Sequence, residues 1–360
     1  MDMRTTAYDR SDVRRLLAVL GHREADRVPH LELWVTSRAV YEYVLERHLA
    51  YAIGDAAEGG QSITPEDDVE FAERQGEDAV LCNFNWRPNN VFRLASDGTR
   101  HYVDGEIKSA ADLENRLDPP PDLDDQLRYL ERYLRAAQGT GVGVIANFTS
   151  FFDSAMLAVG VSDAFPMFLE NRGFLERLMD RLLLNQERAV DAVCRRFGRD
   201  LALVMVNDDV GHNAGLMISP GLFMDLFPSR MTRLIAPAKA AGLKVLMHTD
   251  GRMDDILPIL HGIGIDACHP IEPESNDIVE VKKRWAGKMA LIGNVPTVLL
   301  AYGSQEQIEE KVRAYCAALG PGGGWVLGSS TSIMDGIPPA NFVAMIRACH
   351  AYGRAGAPRR

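Results

Sequence analysis

The sequence predicts one α/β domain over residues 1–360, folded as a (β/α)8 TIM barrel with an N-terminal helical extension. Eight short runs rich in Val, Ile and Leu recur along the chain, and helical patterns separate them. Such runs are typical of strands buried on both faces, and their alternation with helices indicates a parallel sheet that eight strands can close into a barrel. An open doubly wound sheet is the alternative, although no Gly-x-Gly-x-x-Gly turn follows the early strands. The predicted strands are 28–34, 78–85, 141–148, 201–209, 244–250, 264–273, 289–295 and 322–330.

The helical segments carry their own start and stop signals. Residues 173–198 place apolar side chains near one face of a long helix, and Pro228 predicts a break just before it. Ser304 and Gln307 form a capping-box pattern. Asn276 is a candidate N-cap for the helix that follows it.

Composition and charge narrow the class of protein. The net charge of the 360 residues is −11, which argues against nucleic acid or an anionic membrane as the main partner. Five cysteines without a Cys-x-x-Cys pair indicate neither a disulfide framework nor a Cys-rich zinc module. No apolar run approaches the ~20 residues of a membrane span, and residues 1–20 mix acids and bases unlike a signal peptide. We therefore expect a cytoplasmic protein.

The most informative stretch is "LKVLMHTDGRMDDILPIL", residues 243–260. A buried strand ends here on His248 and Asp250. Residues two apart on a strand share a face, and the active sites of barrels lie at the carboxyl ends of the strands. We therefore expect both side chains at the mouth of the barrel as catalytic residues, with Asp209 from the end of the preceding strand.

Other polar residues end the remaining strands and are candidates for binding a substrate. Three roles remain open for His248 and Asp250: ligands of a divalent metal with Glu272 or Asp209, an acid/base pair, or hydrogen-bonding groups for a polar ligand. Asp208 suits either a helix cap or the site. The candidate substrate-binding residues are Trp34, Asn147, Asn207, His269, Asn294 and Ser329.

Several segments resemble the uroporphyrinogen decarboxylase superfamily in order along the chain. They are "LAVLGHREADRVPHLELW", "VNDDVGHNAGLMISPGLF", "LKVLMHTDGRMDDILPIL", "GIDACHPIEP", "LIGNV" and "GGGWVLGSSTSI" followed by "GIPPANFVAM". The resemblance implies a (β/α)8 barrel with its cleft at the strand ends. It also implies one of two activities. These are cofactor-free decarboxylation of uroporphyrinogen, or zinc-dependent methyl transfer to or from a corrinoid protein, with aryl methyl ethers, methylamines or thiols as methyl partners.

The chain departs from both branches of this superfamily. Of the Arg-Gln-Ala-Gly-Arg motif of the decarboxylases only Arg38 remains, and their late Gly-His-Gly is here "GSSTSI". The His-x-Cys zinc motif of the methyltransferases becomes His248-x-Asp250, and their late cysteine becomes Ser329 or Ser330. The resemblance implies a zinc-dependent methyltransferase with a corrinoid carried by a partner protein. We expect the zinc ligands to be His248 and Asp250, with Glu272 or Asp209 completing the site. A decarboxylase or lyase acting on uroporphyrinogen or another carboxylated substrate is the alternative.

Overall fold

The computed structural model describes residues 9–50, 63–95 and 100–355. Within these ranges the strands are β1 (Ala79–Phe84), β2 (Asn90–Leu94), β3 (Arg100–Gly105), β4 (Gly143–Thr149), β5 (Leu203–Asn207), β6 (Gly211–His212), β7 (Gly215–Leu216), β8 (Val245–His248), β9 (Ala267–His269), β10 (Ala290–Ile292) and β11 (Trp325–Val326). Seven of them form one sheet in the order β1-β4-β5-β8-β9-β10-β11, and every pairing in it is parallel. The hairpins β2-β3 and β6-β7 stand apart from it.

Helices connect the strands, as the alternating pattern predicts. In chain order they are α1 (Val13–Leu20), α2 (Arg38–Leu45), α3 (Pro65–Gln75), α4 (Ala110–Asn115), α5 (Leu123–Ala137), α6 (Phe152–Val159), α7 (Val161–Glu170), α8 (Arg172–Phe197), α9 (Pro220–Leu226), α10 (Pro228–Ala240), α11 (Ile256–Ile263), α12 (Ile278–Trp285), α13 (Thr297–Tyr302), α14 (Gln305–Leu319) and α15 (Pro339–Tyr352). The TIM-barrel-like fold and its N-terminal helices are thus confirmed.

The local predictions about helix ends hold with one exception. The long helix α8 and the break before Pro228 are present, and Ser304 and Gln307 form the capping box of α14. The prediction for Asn276 was wrong, because Asp277 caps α12 by accepting hydrogen bonds from two backbone N–H groups. The Asn276 side chain instead contacts the loop after β8.

The first predicted strand, 28–34, was also wrong as a strand. His30 forms only an isolated parallel bridge to the residue after β11, and its carbonyl accepts a hydrogen bond from the N–H of Asp78 at 3.1 Å. The N–H groups of His30 and Glu32 donate to the side chains of Asp78 and Glu77. Because carboxylates take these donors, the segment spans the gap between β11 and β1 without forming a ladder.

Helix α1 closes the amino-terminal end of the barrel. Its residues Leu16, Val19 and Leu20 belong to the same buried cluster as the apolar side chains inside the sheet, which include Leu81, Ile145, Leu203, Leu246 and Ile292. A side chain on Gly143 would lie 2.3 Å from a methyl group of Val13, so only glycine permits this approach. The interior of the barrel is therefore a packed core, and the carboxyl end of the strands is where this fold places a site.

Helix lengths bear on the question of a membrane span. Among the described residues, no single helix is both long and apolar enough to cross a membrane. Helices α6 and α7 reach the required length only as a pair, and they are bent by 105° relative to each other.

Candidate active site

A polar layer lies above the apolar interior, at the carboxyl ends of the strands. Strand alternation brings Asn147, Asn207, His248 and His269 to the same face as the buried apolar residues two positions earlier, which are Ile145, Met205, Leu246 and Ala267. In register, Asn207 pairs with His248, and His248 pairs with His269. Asn147 donates its amide to the Oδ1 of Asn83 at 2.8 Å. The structure thus brings together residues that are distant in sequence, because parallel strands all end at this mouth.

Two histidines and a tryptophan form the centre of this layer. The Nδ1 atoms of His248 and His269 lie 2.9 Å apart, so one nitrogen donates and the other accepts. Burial, together with the nearby Arg87 guanidinium, lowers the pKa of His248 to about 3. Burial first, and His248 second, holds the pKa of His269 well below its ordinary value. Both rings are therefore neutral at physiological pH, and the Trp34 ring packs edge-on against His248 at 4.6 Å between centroids.

The Nε2 atom of His248 lies near two carboxylates. It is 3.6 Å from Asp209 Oδ1 and 3.8 Å from Asp250 Oδ1, and one potential ligand atom from each residue lies within 4.8 Å of the other two. The backbone N–H of Asp250 donates to Asp209 at 3.2 Å. The Oδ1 atom of Asp250 is buried without a hydrogen-bond partner.

Burial and mutual repulsion raise the pKa values of these carboxyls in the absence of a cation. Burial first, and then the charges of Asp209 and Glu272, raises the pKa of Asp250 to about 8. Burial also raises the pKa of Asp209. One neutral imidazole, two crowded carboxylates and an unpartnered oxygen fit a divalent cation, which would satisfy the oxygen and offset the repulsion. This donor set suits zinc or a harder metal such as Mn²⁺ or Fe²⁺.

The acidic partner in this group is Asp209, and Glu272 does not belong to it. The Oε2 atom of Glu272 accepts a hydrogen bond from the Gly251 N–H at 2.6 Å. Asn276 donates to the Gly251 carbonyl and accepts from the Met253 N–H, both at 2.9 Å. These two side chains therefore hold the loop that carries Asp250, and of the two acidic partners that the sequence left open, Asp209 is the one that lies in this group.

Asp208 caps a helix instead of entering the site. Its carboxylate accepts hydrogen bonds from the N–H groups of Phe152 at 3.3 Å and Asp153 at 2.7 Å, at the start of α6. Asp209 is the next residue, and because successive side chains point to opposite sides of a strand, its side chain points to the site. Parity along the strand end decides between the two roles that the sequence left open.

Ser329 and Asn294 lie in the polar layer with other partners. Ser329 donates its Oγ to Glu32 at 2.6 Å and its N–H to the same carboxylate at 2.9 Å. Asn294 donates to the Ile271 carbonyl at 2.5 Å, while its Oδ1 is buried without a partner. Both stay candidates for contacting a substrate, and Ser329 lies outside the metal-type group.

The sequence reasoning missed Arg87 and Asp153. Their side chains form an ion pair at 3.0 Å beside the acidic group. The Arg87 guanidinium adds to the effect of burial in lowering the pKa of His248, and it opposes the burial that raises the pKa of Asp209. Burial raises the pKa of Asp153 to about 6. Arg87 lies three residues after the end of β1 and Asp153 four residues after the end of β4. A charged residue shortly after a strand is the sequence signal that could have identified them.

The fold and this centre together define a barrel protein with an imidazole–carboxylate group at its mouth, an arrangement found in metal-dependent enzymes. The uroporphyrinogen decarboxylase family model matches residues 93–352. The chain therefore belongs to the uroporphyrinogen decarboxylase family.

Two further comparisons describe its relatives. The uroporphyrinogen decarboxylase of Pseudoalteromonas atlantica is 26% identical over 269 residues, which cover 68% of this chain and 69% of that protein. The match to the uroporphyrinogen decarboxylase of Yersinia pestis is 32% identical over 99 residues and covers 27% of each chain. Among solved structures, a methyltransferase from Methanosarcina mazei superposes with a TM-score of 0.70 at 18% identity, over 94% of this chain and 98% of that chain.

Proposed function

We propose that this protein is a methyltransferase that moves a methyl group between a small methylated substrate and a corrinoid carried by a separate protein. The substrate would be an aryl methyl ether, a methylamine or a thiol. The observation that carries the proposal is the group formed by Asp209, His248 and Asp250. The corrinoid partner rests on the resemblance to the methyltransferase branch of the family.

In this proposal Asp209, His248 and Asp250 hold a divalent cation, zinc in the first instance. The chemistry that such a cation supplies is polarisation of the oxygen or sulfur next to the methyl group. The low pKa of His248 keeps the imidazole neutral, and the tautomer in which Nδ1 donates to His269 leaves Nε2 free for a cation. The contact with His269 and the Trp34 ring fix the orientation of the imidazole. Trp34 also provides an apolar wall for the substrate.

The charges at the mouth argue against uroporphyrinogen as substrate. A porphyrinogen with eight carboxylates needs several cations to bind it. Arg38 pairs with Glu42 at 2.7 Å on α2, and Arg87 already pairs with Asp153. Asp209 and Asp250 lie at the same mouth and supply no positive charge for the acetate groups.

A cofactor-free decarboxylase or lyase is the second candidate, and one observation favours it. The pKa of Asp250 is raised to about 8, by burial first, so without a cation this carboxyl is protonated at neutral pH. A protonated Asp250 beside the neutral His248 could deliver a proton to a carbanion as a general acid.

Metal content separates the two candidates. Purified protein, incubated with zinc and desalted, is measured by mass spectrometry beside His248→Ala and beside His261→Ala, an exposed histidine on α11. We expect about one equivalent of zinc in the wild type and His261→Ala, and a loss in His248→Ala. The zinc-loaded protein is then tested for methylation of cob(I)alamin with aryl methyl ethers and thiols. No bound zinc in the wild type would refute the metal mechanism and favour the lyase.

A further inference from the structure

A cavity of about 200 Å³ lies beside Trp34, the residue whose ring packs against His248. Its walls come from segment 32–36 on one side and from β1 on the other, and it continues outward to helices α2, α3 and α5. It therefore passes through the barrel wall where the first segment and β1 form no ladder. We call this space the side cavity. Its residues include Trp34, Tyr41, Asp68, Phe71, Glu77 and Tyr133.

The lining of the side cavity combines carboxylates with aromatic rings. Three acids line it, Glu32, Asp68 and Glu77, and no Lys, Arg or His is among its described lining residues. The carboxylate of Asp68 is fixed by the hydroxyl groups of Tyr41 at 2.9 Å and Tyr133 at 3.0 Å. Aromatic faces together with a carboxylate attract organic cations.

The inner end of the side cavity meets the polar layer. Asn83 lines the cavity and accepts the amide of Asn147. The Oδ1 atom of Asn147, a side chain that is only 1% exposed, has no hydrogen-bond partner. Asn147 is not itself among the lining residues of the cavity, so this unpaired acceptor belongs to the polar layer that the inner end of the cavity reaches.

Trp34 connects the side cavity to the candidate metal centre. It lines the cavity, and its ring lies edge-on to His248. A ligand in the cavity therefore lies one ring away from His248. We propose that the side cavity binds the ammonium end of the substrate while the oxygen or sulfur that bears the methyl group lies at His248. The substrate class is then an amine that also carries a methyl ether, a thioether or a thiol.

This inference rests on the proposed function only in calling the bound amine the substrate, because cation binding itself needs neither metal nor corrinoid. Isothermal titration of chelator-treated, metal-free protein at pH 8 compares 2-phenylethylamine with its uncharged counterpart 2-phenylethanol. We expect the amine to bind at least tenfold more tightly than the alcohol. Equal affinities, or binding of the alcohol alone, would overturn the proposal.

Two variants locate the binding. Asp68→Asn removes the cavity carboxylate. Asp67→Asn makes the same change one residue earlier on α3, where Asp67 pairs with Arg47 and is not among the cavity residues. Thermal unfolding checks that both variants fold. We expect Asp68→Asn to lose the preference for the amine and Asp67→Asn to keep it, with zinc content unchanged in both. A preference that survives in Asp68→Asn, or falls equally in both variants, would refute the cavity as the site.

Discussion

Replacement of Asp68 by asparagine should change how stability depends on pH. Burial raises the pKa of Asp68 from its ordinary 3.8 to about 6, against the opposing effect of the two tyrosine hydroxyls. The folded protein therefore binds a proton at Asp68 more tightly than the unfolded chain does. The stabilisation from this proton is fully present below the pKa of Asp68 in the unfolded chain. It is lost as the pH rises through the pKa of Asp68 in the folded protein. Each unit of pKa difference corresponds to about 1.4 kcal/mol, which gives roughly 3 kcal/mol in total.

Urea denaturation of the metal-free wild type and Asp68→Asn, at about pH 4 and about pH 7.5, tests this linkage. Between these values the wild type should lose roughly 2–3 kcal/mol relative to the variant, because asparagine does not titrate. Asp67→Asn is the control, since it makes the same change at the neighbouring residue, whose carboxylate pairs with Arg47. A difference between wild type and Asp68→Asn that stays constant with pH would refute the assigned pKa.

Three further predictions concern named contacts. Asp208→Ala should lower the free energy of unfolding by about 1–2 kcal/mol through loss of the α6 cap, and it should still bind zinc. Asp209→Asn should lose zinc and keep the free energy of unfolding. Metal analysis and urea denaturation of both variants distinguish these outcomes. Ser329→Ala should bind zinc like the wild type, because Ser329 donates to Glu32; loss of zinc in this variant would instead make it a ligand. Leu16→Ala should cost about 2–5 kcal/mol, since α1 closes the buried interior, and an unchanged urea midpoint would contradict that packing.

Strand order and the alternation of side chains made much of the site predictable. His248, Asp250 and Asp209 were identified because they follow buried runs, and the period of two along a strand places alternate residues at the mouth. The same rule correctly grouped Asn147, Asn207 and His269 in one layer. The prediction for His248 was the strongest, because burying an imidazole in a strand that is covered on both faces costs free energy unless a polar partner compensates.

Other parts of the site depend on contacts that no short stretch encodes. The acidic partner of His248 is Asp209 and not Glu272, because Glu272 is drawn to the Gly251 N–H. Arg87 and Asp153 meet only because β1 and β4 are neighbours in the sheet. Such choices depend on loop paths, which local sequence does not determine.

The sequence by itself predicted the barrel and the end at which its polar strand ends gather, because strand periodicity and strand ends are local properties of the chain. The family followed from the resemblance of whole segments. Tertiary structure alone decided that segment 28–34 spans a gap without becoming a strand. There the carboxylates of Glu77 and Asp78 take the N–H groups that a ladder would need. The side cavity exists for the same reason: it opens where two segments, distant in sequence, fail to pair.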